Sequence, residues 1–234
     1  FRRFGKFVNS LGGKYITSED VGTSTQFMEY ISMETKHVMG KPFYLGGGGD
    51  PSPITAYGVY LGMKASQKKL TGNDSLEGKK IMVQGVGHVG QYLIEHLAKE
   101  NAEILIADIN EDNLKSVTSN YKAEVIDVNN VYNTEMDIYA PCALGATVND
   151  STIDNLKCSI IAGAANNQLQ DELIHGRKLK EKGILYAPDF LINAGGVVNC
   201  YTEIDGYSKE KTYGITDNIY QQTIDIFNAA DNSE

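Results

Sequence analysis

The fold of this chain is decided by the stretch KKIMVQGVGHVGQYLIEHLAKENAEILIADIN, which runs from Lys79 to Asn110. An apolar run at 81–84 leads into a glycine turn at 85–90, and a second apolar run at 104–107 ends at Asp108. The amphipathic segment between them has one apolar face, made of Val89, Leu93, Ile94 and Leu97. The spacing predicts a strand, a glycine turn, a helix and a second strand that ends in an acid.

Each part of this pattern has a physical role if the ligand is a dinucleotide. Gly85 allows the tight turn, Gly87 lets the backbone approach a pyrophosphate, and Gly90 lets the helix pack close to the sheet. The free N–H groups and the positive end of the helix dipole then face the phosphates. Asp108 is placed to accept hydrogen bonds from ribose hydroxyls. The predicted cofactor contacts at this turn are Gly85, Gly87, His88, Val89 and Gly90.

The glycine pattern taken alone leaves two other interpretations open. One is a purely structural glycine turn beside a capping Asp. The other is a methyltransferase, which uses a similar turn and acid to hold S-adenosylmethionine. The strand before the turn, the helix after it and the acid at the end of the next strand together favour the dinucleotide.

Composition limits the classes of partner. The 234 residues suffice for one large domain or two small ones. A net charge of −9 argues against nucleic-acid and anionic-membrane partners. No apolar run approaches the roughly 20 residues of a membrane span, and we expect a cytoplasmic protein. The scattered cysteines and histidines show no ligand spacing, so no metal site is predicted.

The chain before the glycine turn predicts two short helices and a boundary. An apolar face of Phe4, Phe7, Val8 and Leu11 indicates the first helix, and residues 14–17 are typical of a short strand. Glu19 and Asp20 form a polar turn, whose spacing alone favours a solvated position. A second helix is predicted from Thr23 or Ser24 to about Thr35. Four glycines at 46–49 mark the boundary, after which Ser52 is predicted to cap a helix that begins at Pro53.

The chain after Asp108 alternates between apolar segments and helical ones. We expect helices at 110–120 and 171–182. Further strands are predicted at 124–126, 137–140, 159–162 and 184–187. Strands separated by helices indicate an α/β fold with a doubly wound parallel sheet, in which ligands bind beyond the carboxyl ends of the strands. Small or polar loops follow three strands, at 141–145, 163–167 and 188–189. Residues 191–199 and 211–230 are each predicted to form one helix.

Seven stretches together resemble the glutamate/leucine/phenylalanine/valine dehydrogenases, and most closely the leucine-specific members. They are YITSEDVGT (15–23), GDPSPITAYGVYLGMKA (49–65), VQGVGHVG (83–90), ADIN (107–110), DIYAPCALG (137–145), IAGAANNQL (161–169) and YAPDFLINAGGVVN (186–199). The resemblance implies a substrate domain at 1–49, an NAD-binding Rossmann domain at 50–205, and C-terminal helices at 206–234 that return toward the substrate domain.

The resemblance implies NAD-dependent, reversible oxidative deamination of a branched-chain L-amino acid: leucine, and also valine or isoleucine. The resemblance assigns proton transfer to Asp20. Thr55 and Asn167 are expected near the nicotinamide, with Ala143 and Ala164 along the cofactor. The expected substrate pocket consists of Ser18, Asn167, Val197 and Cys200. Asp108 favours NAD, because a carboxylate repels the 2′-phosphate of NADP and Ile109-Asn110 supplies no arginine.

One departure from the family is large. Two active-site lysines of the family, found upstream in its substrate domain, have no matching stretch here. Because the chain opens at Phe1 within an amphipathic segment, we expect an N-terminal part to be missing from this sequence. The alternatives are a phenylalanine dehydrogenase and a non-catalytic NAD-binding protein without the lysines. The family also implies a homo-oligomer.

Overall fold

The computed structural model describes residues 1–232 and divides into two compact units. The first contains Phe1–Ile54 and Gly195–Thr216, and the second contains Thr55–Ala194 and the chain from Asp217 onward. Residues 195–205 thus group with the first unit by compactness, although the sequence placed them in the dinucleotide domain. The functional division at residues 49 and 205 stays a prediction.

The helices and strands have the following bounds. The helices are α1 Arg2–Ser10, α2 Thr25–Ser32, α3 Ser52–Thr71, α4 His88–Lys99, α5 Glu111–Asn120, α6 Glu172–Glu181, α7 Asp189–Ile192, α8 Gly195–Thr202, α9 Lys209–Thr216 and α10 Asn218–Asp231. The strands are β1 Lys80–Gln84, β2 Glu103–Ala107, β3 Ala123–Val125, β4 Ile138–Pro141, β5 Ile160–Ile161 and β6 Leu185–Tyr186. None of the helices within residues 1–232 is long and apolar enough to cross a membrane.

The second unit is built on one parallel sheet with the strand order β3-β2-β1-β4-β5-β6. This is the order of the doubly wound dinucleotide-binding folds, so the predicted α/β class is confirmed. All six carboxyl ends lie at the same edge because every strand pair is parallel. The loops that follow the strands therefore share that edge.

Both faces of this sheet are covered, which explains why its strands are continuously apolar. Successive side chains point to opposite faces, so Ile81 and Val83 enter one core and Met82 enters the other. The first core includes residues of α3, α4 and α10, such as Met63, Leu93 and Phe227. The second includes Leu179 of α6, buried Tyr139 and the apolar residues around 148–156.

The starts of α5 and α6 have side-chain caps. Asn110 is the N-cap of α5, and its side chain accepts from the backbone N–H of Asp112 and Asn113. The predicted cap at Ser52 is wrong by one residue, because α3 already includes Ser52. Pro51 precedes the helix, and the Oδ1 of Asp50 accepts from the Ser52 N–H at 2.8 Å.

Three predicted elements differ from the structure. Residues 14–17 form no strand, because only Thr17 pairs, in an isolated bridge with Val38. The helix predicted over 211–230 is two helices, α9 and α10, with Asp217 as the N-cap of the second. The helix predicted over 191–199 is likewise divided, with Asn193 and Ala194 between α7 and α8. In both cases the apolar periodicity of the sequence continues across the point where one helix ends and the next begins.

Candidate active site

The glycine turn lies where the strand order of the sheet reverses, between β1 and β4. A crevice opens beyond the strand ends at such a switch point. Gly85 has φ +94°, a backbone conformation that residues with a side chain rarely adopt. A Cβ on Gly85 would lie 2.6 Å from the backbone nitrogen of Ala143, in the loop after β4. The fold therefore brings together two residues that the sequence assigned to the cofactor.

The other two glycines of the turn differ in what surrounds them. A Cβ on Gly90 would lie 2.2 Å from the carbonyl oxygen of Gly85. The helix can therefore approach the end of the strand this closely only if residue 90 has no side chain. A Cβ on Gly87 would meet no heavy atom within 4 Å. Gly87 is also the N-cap of α4 and supplies no side-chain cap. His88 and Val89 follow as the first helical residues, His88 exposed and Val89 packed against the core.

Asp108 ties the end of β2 to the glycine turn. Its Oδ2 accepts from the Val86 N–H at 2.7 Å, and its Oδ1 accepts from the Asn110 N–H at 2.8 Å. The carboxylate is half-buried, whereas the next residue, Ile109, is 93% exposed. The acid is thus held rigidly at the strand edge, where a ribose hydroxyl can reach its remaining lone pairs.

The loops after β4 and β5 are tied to each other and to their surroundings. The Asn167 carbonyl accepts from the Ala146 N–H at 2.7 Å, and the Ala164 carbonyl accepts from Asn193 Nδ2 at 3.1 Å. Asn167 has φ +52°, an uncommon conformation for a residue with a side chain. Its side chain is exposed. The role of Asn167 at the cofactor and the substrate stays a prediction.

These features fit a dinucleotide. An uncapped helix start faces open space at Gly87, and its N–H groups and dipole favour a pyrophosphate there. Asp108 stands at the end of the neighbouring strand for the ribose. Thr55, the remaining predicted contact of the second unit, lies half-buried in the first turn of α3. Within residues 1–232, no group of three or more His, Cys, Asp or Glu side chains suits a metal ion.

Asp20 lies in the first unit, in a turn that its own groups close. The Asp20 N–H donates to Thr23 Oγ1 at 2.9 Å, and the Thr23 N–H donates to the Asp20 carbonyl at 2.9 Å. Asp20 Oδ1 accepts from the Val21 N–H at 2.8 Å. The residue is exposed, so a carboxylate of fixed direction is offered to solvent or to a substrate.

Glu19 is not the solvated turn residue that its spacing suggested. Its side chain is half-buried, and burial, followed by repulsion from Asp50 and then Asp20, raises its pKa from 4.5 to about 7. The protonated form is favoured when a carboxyl is buried near other carboxylates. A group that titrates near neutrality therefore adjoins the residue predicted to move protons.

This raised pKa has a measurable effect on stability. Below pH 4.5 the carboxyl is protonated in both the folded and unfolded states, whereas between 4.5 and about 7 the unfolded state loses its proton first. Folded stability is therefore lost as the pH rises through this window. The stability of Glu19→Gln should depend less on pH in this window, and at pH 8 the variant should be more stable than the wild type. Unfolding midpoints in urea, measured from pH 4 to 8, test both expectations.

The matched control is Glu210→Gln, at an exposed position of α9 in the same unit. Its midpoints should follow those of the wild type across the whole range. Parallel curves for Glu19→Gln and the wild type would contradict the raised pKa.

The predicted pocket residues of the first unit include one contacting pair. Ser18 Oγ and Cys200 Sγ are 2.9 Å apart, although they lie far apart in the sequence. Burial raises the pKa of the Cys200 thiol, and the Ser18 hydrogen bond opposes that shift. Val197 lies three residues before Cys200 on α8 and is 73% exposed. The pair is neutral, and it presents a small polar surface beside the exposed Val197.

One residue near this pair was not singled out from the sequence. Glu203 is 7% exposed, and its Oε1 accepts from the N–H groups of Gly40 and Gly48 at 2.7 Å each. Buried carboxylates are rare unless they are paired or hydrogen-bonded. No local pattern in the sequence singles it out, because it lies in the turn directly after α8 and its partners are distant in the chain.

Comparison with known proteins agrees with this geometry. The sequence profile named Glutamate/Leucine/Phenylalanine/Valine dehydrogenase matches residues 46–110 and 105–230, most of the chain. The chain belongs to this family. Leucine dehydrogenase of Thermoactinomyces intermedius is 49% identical over 98% of the chain and 63% of its own length. Leucine dehydrogenase of Bacillus subtilis (strain 168) is 50% identical over 94% of the chain and 60% of its own length.

Other members of the family are also similar. The L-tryptophan dehydrogenase of Nostoc punctiforme is 43% identical over 98% of the chain and 64% of its own length. A crystal structure of L-tryptophan dehydrogenase from Nostoc punctiforme matches with a TM-score of 0.84 and 41% identity, over 99% of the chain and 66% of that structure. The chain thus spans about three-fifths of the length of these curated relatives.

Proposed function

We propose that the whole protein is an NAD-dependent dehydrogenase that oxidatively deaminates a branched-chain L-amino acid, reversibly, to its 2-oxo acid and ammonia. The observation that carries the proposal is the glycine turn at the β1–β4 switch point, with Asp108 bound to its backbone, in a chain of this family. The leucine dehydrogenases, at about half identity, support leucine as the first substrate to consider.

Different residues of this chain bind the cofactor and transfer protons. Gly85, Gly87 and Gly90 shape the phosphate site, and Asp108 holds the ribose. When bound, the nicotinamide accepts the hydride that leaves the substrate Cα. Asp20 moves protons on and off the substrate nitrogen and the added water, since an exposed carboxylate of fixed direction suits general acid–base work.

Specificity for NAD over NADP follows from the same acid. Asp108 is held by the Val86 N–H at 2.7 Å and cannot turn away without losing that bond. Its charge repels a 2′-phosphate, and the following Ile109-Asn110 offers no cation in compensation. We therefore propose NAD as the physiological cofactor.

Substrate choice is proposed to rest on Ser18, Val197 and Cys200, with Asn167 also reaching the substrate. These side chains carry no cation, which disfavours a substrate with a side-chain carboxylate. The neutral Ser18–Cys200 pair supports a small, uncharged pocket. A pocket methylene changes selectivity by only about 1–3 kcal/mol, so valine and isoleucine are expected as substrates beside leucine.

Aromatic substrates are the second candidate. The L-tryptophan dehydrogenase of Nostoc punctiforme is 43% identical to this chain, and the phenylalanine dehydrogenase of Bacillus thermotolerans is 42% identical. The resemblance to the family also supports a cytoplasmic homo-oligomer.

The deciding experiment is an assay of the full-length protein. NADH formation is followed with leucine, valine, isoleucine, phenylalanine, tryptophan and glutamate, and NADP replaces NAD in a parallel series. We expect the highest kcat/KM with a branched-chain substrate and NAD. Turnover that is fastest with an aromatic amino acid would move the proposal to the second candidate. NAD binding without any turnover would leave a non-catalytic NAD-binding protein.

A further inference from the structure

The carboxyl group of Glu203 holds two separate parts of the first unit together. Oε1 accepts from the backbone N–H of Gly40 and from that of Gly48, each at 2.7 Å. The side chain is 7% exposed, and two charge-assisted bonds offset part of the desolvation of the carboxyl. One side chain from the turn after α8 therefore fixes both ends of the 40–48 loop.

Gly40 in turn packs against the segment that leads to Asp20. A Cβ at Gly40 would lie 3.1 Å from Glu19 Cβ and 3.4 Å from Ser18 Oγ. Gly40 also has φ +74°, so this close approach depends on glycine. The neighbouring Thr17–Val38 bridge joins the same two segments by backbone hydrogen bonds. A shift of Gly40 would thus be transmitted to Glu19 and on to Asp20.

Helix α8 reaches this segment at a second point. Cys200 Sγ and Ser18 Oγ are 2.9 Å apart, and Glu203 follows Cys200 by three residues, in the turn directly after α8. The 18–20 segment is therefore held directly through Ser18 and indirectly through Gly40. Two contacts, one from α8 and one from the turn after it, fix the orientation of the 18–20 segment better than one.

The Gly48 end is also closely packed. A Cβ at Gly48 would lie 2.9 Å from Asn199 Nδ2 and 2.8 Å from the Tyr207 ring. Glu203 Oε2 and Asn199 Oδ1 are buried and have no hydrogen-bond partner among the described residues.

We propose that Glu203 is a positioning residue that holds the Asp20 carboxylate in place for proton transfer, acting through Gly40 and Glu19. This role rests on the proposed dehydrogenase function. Small displacements of a group that must meet a reacting atom are costly, since about 1 Å can lower a rate 10²-fold.

The test compares Glu203→Met with Glu203→Gln in the full-length protein. Methionine matches the length but accepts no hydrogen bond, whereas glutamine keeps an acceptor oxygen. We expect the Met variant to lose about tenfold or more in kcat, with a shifted pH profile of kcat/KM and unchanged NAD affinity. The Gln variant should stay within about threefold of the wild type.

A readout independent of turnover is amide hydrogen exchange at Gly40 and Gly48. Exchange at both should speed up in Glu203→Met and remain slow in Glu203→Gln. Glu203→Asp, which keeps the charge but is one methylene shorter, is the second variant if the Met variant does not fold, and the same losses are expected.

These experiments distinguish a failure of the positioning role from a failure of the proposed function. Unchanged exchange at Gly40 and Gly48 in the Met variant, or wild-type kcat despite faster exchange, would overturn the positioning role. A wild-type protein inactive with every amino acid tested would instead overturn the proposed function, whatever the exchange shows.

Discussion

Asp20→Asn is expected to lower kcat for leucine by about 10²–10⁴-fold, the usual contribution of general acid–base catalysis. Asparagine has the same size, and its Oδ1 can still accept from the Val21 N–H, so the turn at 20–23 should persist. The amide cannot exchange a proton with the substrate nitrogen or with water. The loss is measured by steady-state NADH formation with the full-length protein.

The NAD dissociation constant of this variant should stay within about twofold of the wild type, because Asp20 is assigned to proton transfer and the glycine turn to the cofactor. Asp205→Asn, at an exposed position of the first unit, serves as the control and should retain wild-type kcat. A kcat for Asp20→Asn within threefold of the wild type would remove Asp20 from the proton transfer.

Gly90→Ala is expected to lower the stability of the fold, whereas Gly87→Ala is expected to lower the affinity for NAD. At Gly90 the new methyl would lie 2.2 Å from the Gly85 carbonyl oxygen, so the backbone must shift. We expect a loss of about 1–3 kcal/mol in the free energy of unfolding, the usual cost of overpacking. At Gly87 the methyl meets no heavy atom within 4 Å and φ is −71°, so the fold should be retained.

The Gly87→Ala methyl instead enters the space proposed for the pyrophosphate. NAD affinity should fall by at least about tenfold, or about 1.4 kcal/mol, with an unfolding midpoint close to that of the wild type. Chemical unfolding and NAD titration of both variants measure the contrast. Unchanged NAD affinity in Gly87→Ala would contradict the assignment of the phosphate site to this turn.

The strands and the turn were predictable because their signals are local. Residues 81–84 are apolar, the glycines follow at once, and Asp108 ends the next apolar run. A strand buried on both faces must be continuously apolar, which makes this kind of sheet visible in sequence. The predicted strands accordingly agree with β1–β6 within one or two residues.

The errors occurred where local patterns are ambiguous. Residues 14–17 have strand-like composition but only Thr17 finds a partner, since pairing depends on a distant segment at 38. The apolar spacing across 211–230 continues through Asp217, where the chain changes helix. Periodicity reports which side chains turn inward and is insensitive to such a break.

The sequence by itself determined the parallel α/β class, the dinucleotide turn and the family, because each can be recognised from patterns within short stretches of the chain. Only the tertiary structure decided the environment of Glu19, the pairing of Ser18 with Cys200, and the bonds from Glu203 to Gly40 and Gly48. Burial and hydrogen bonding between distant segments are set by the packing of the whole unit. No local pattern around any one of these residues encodes its partners.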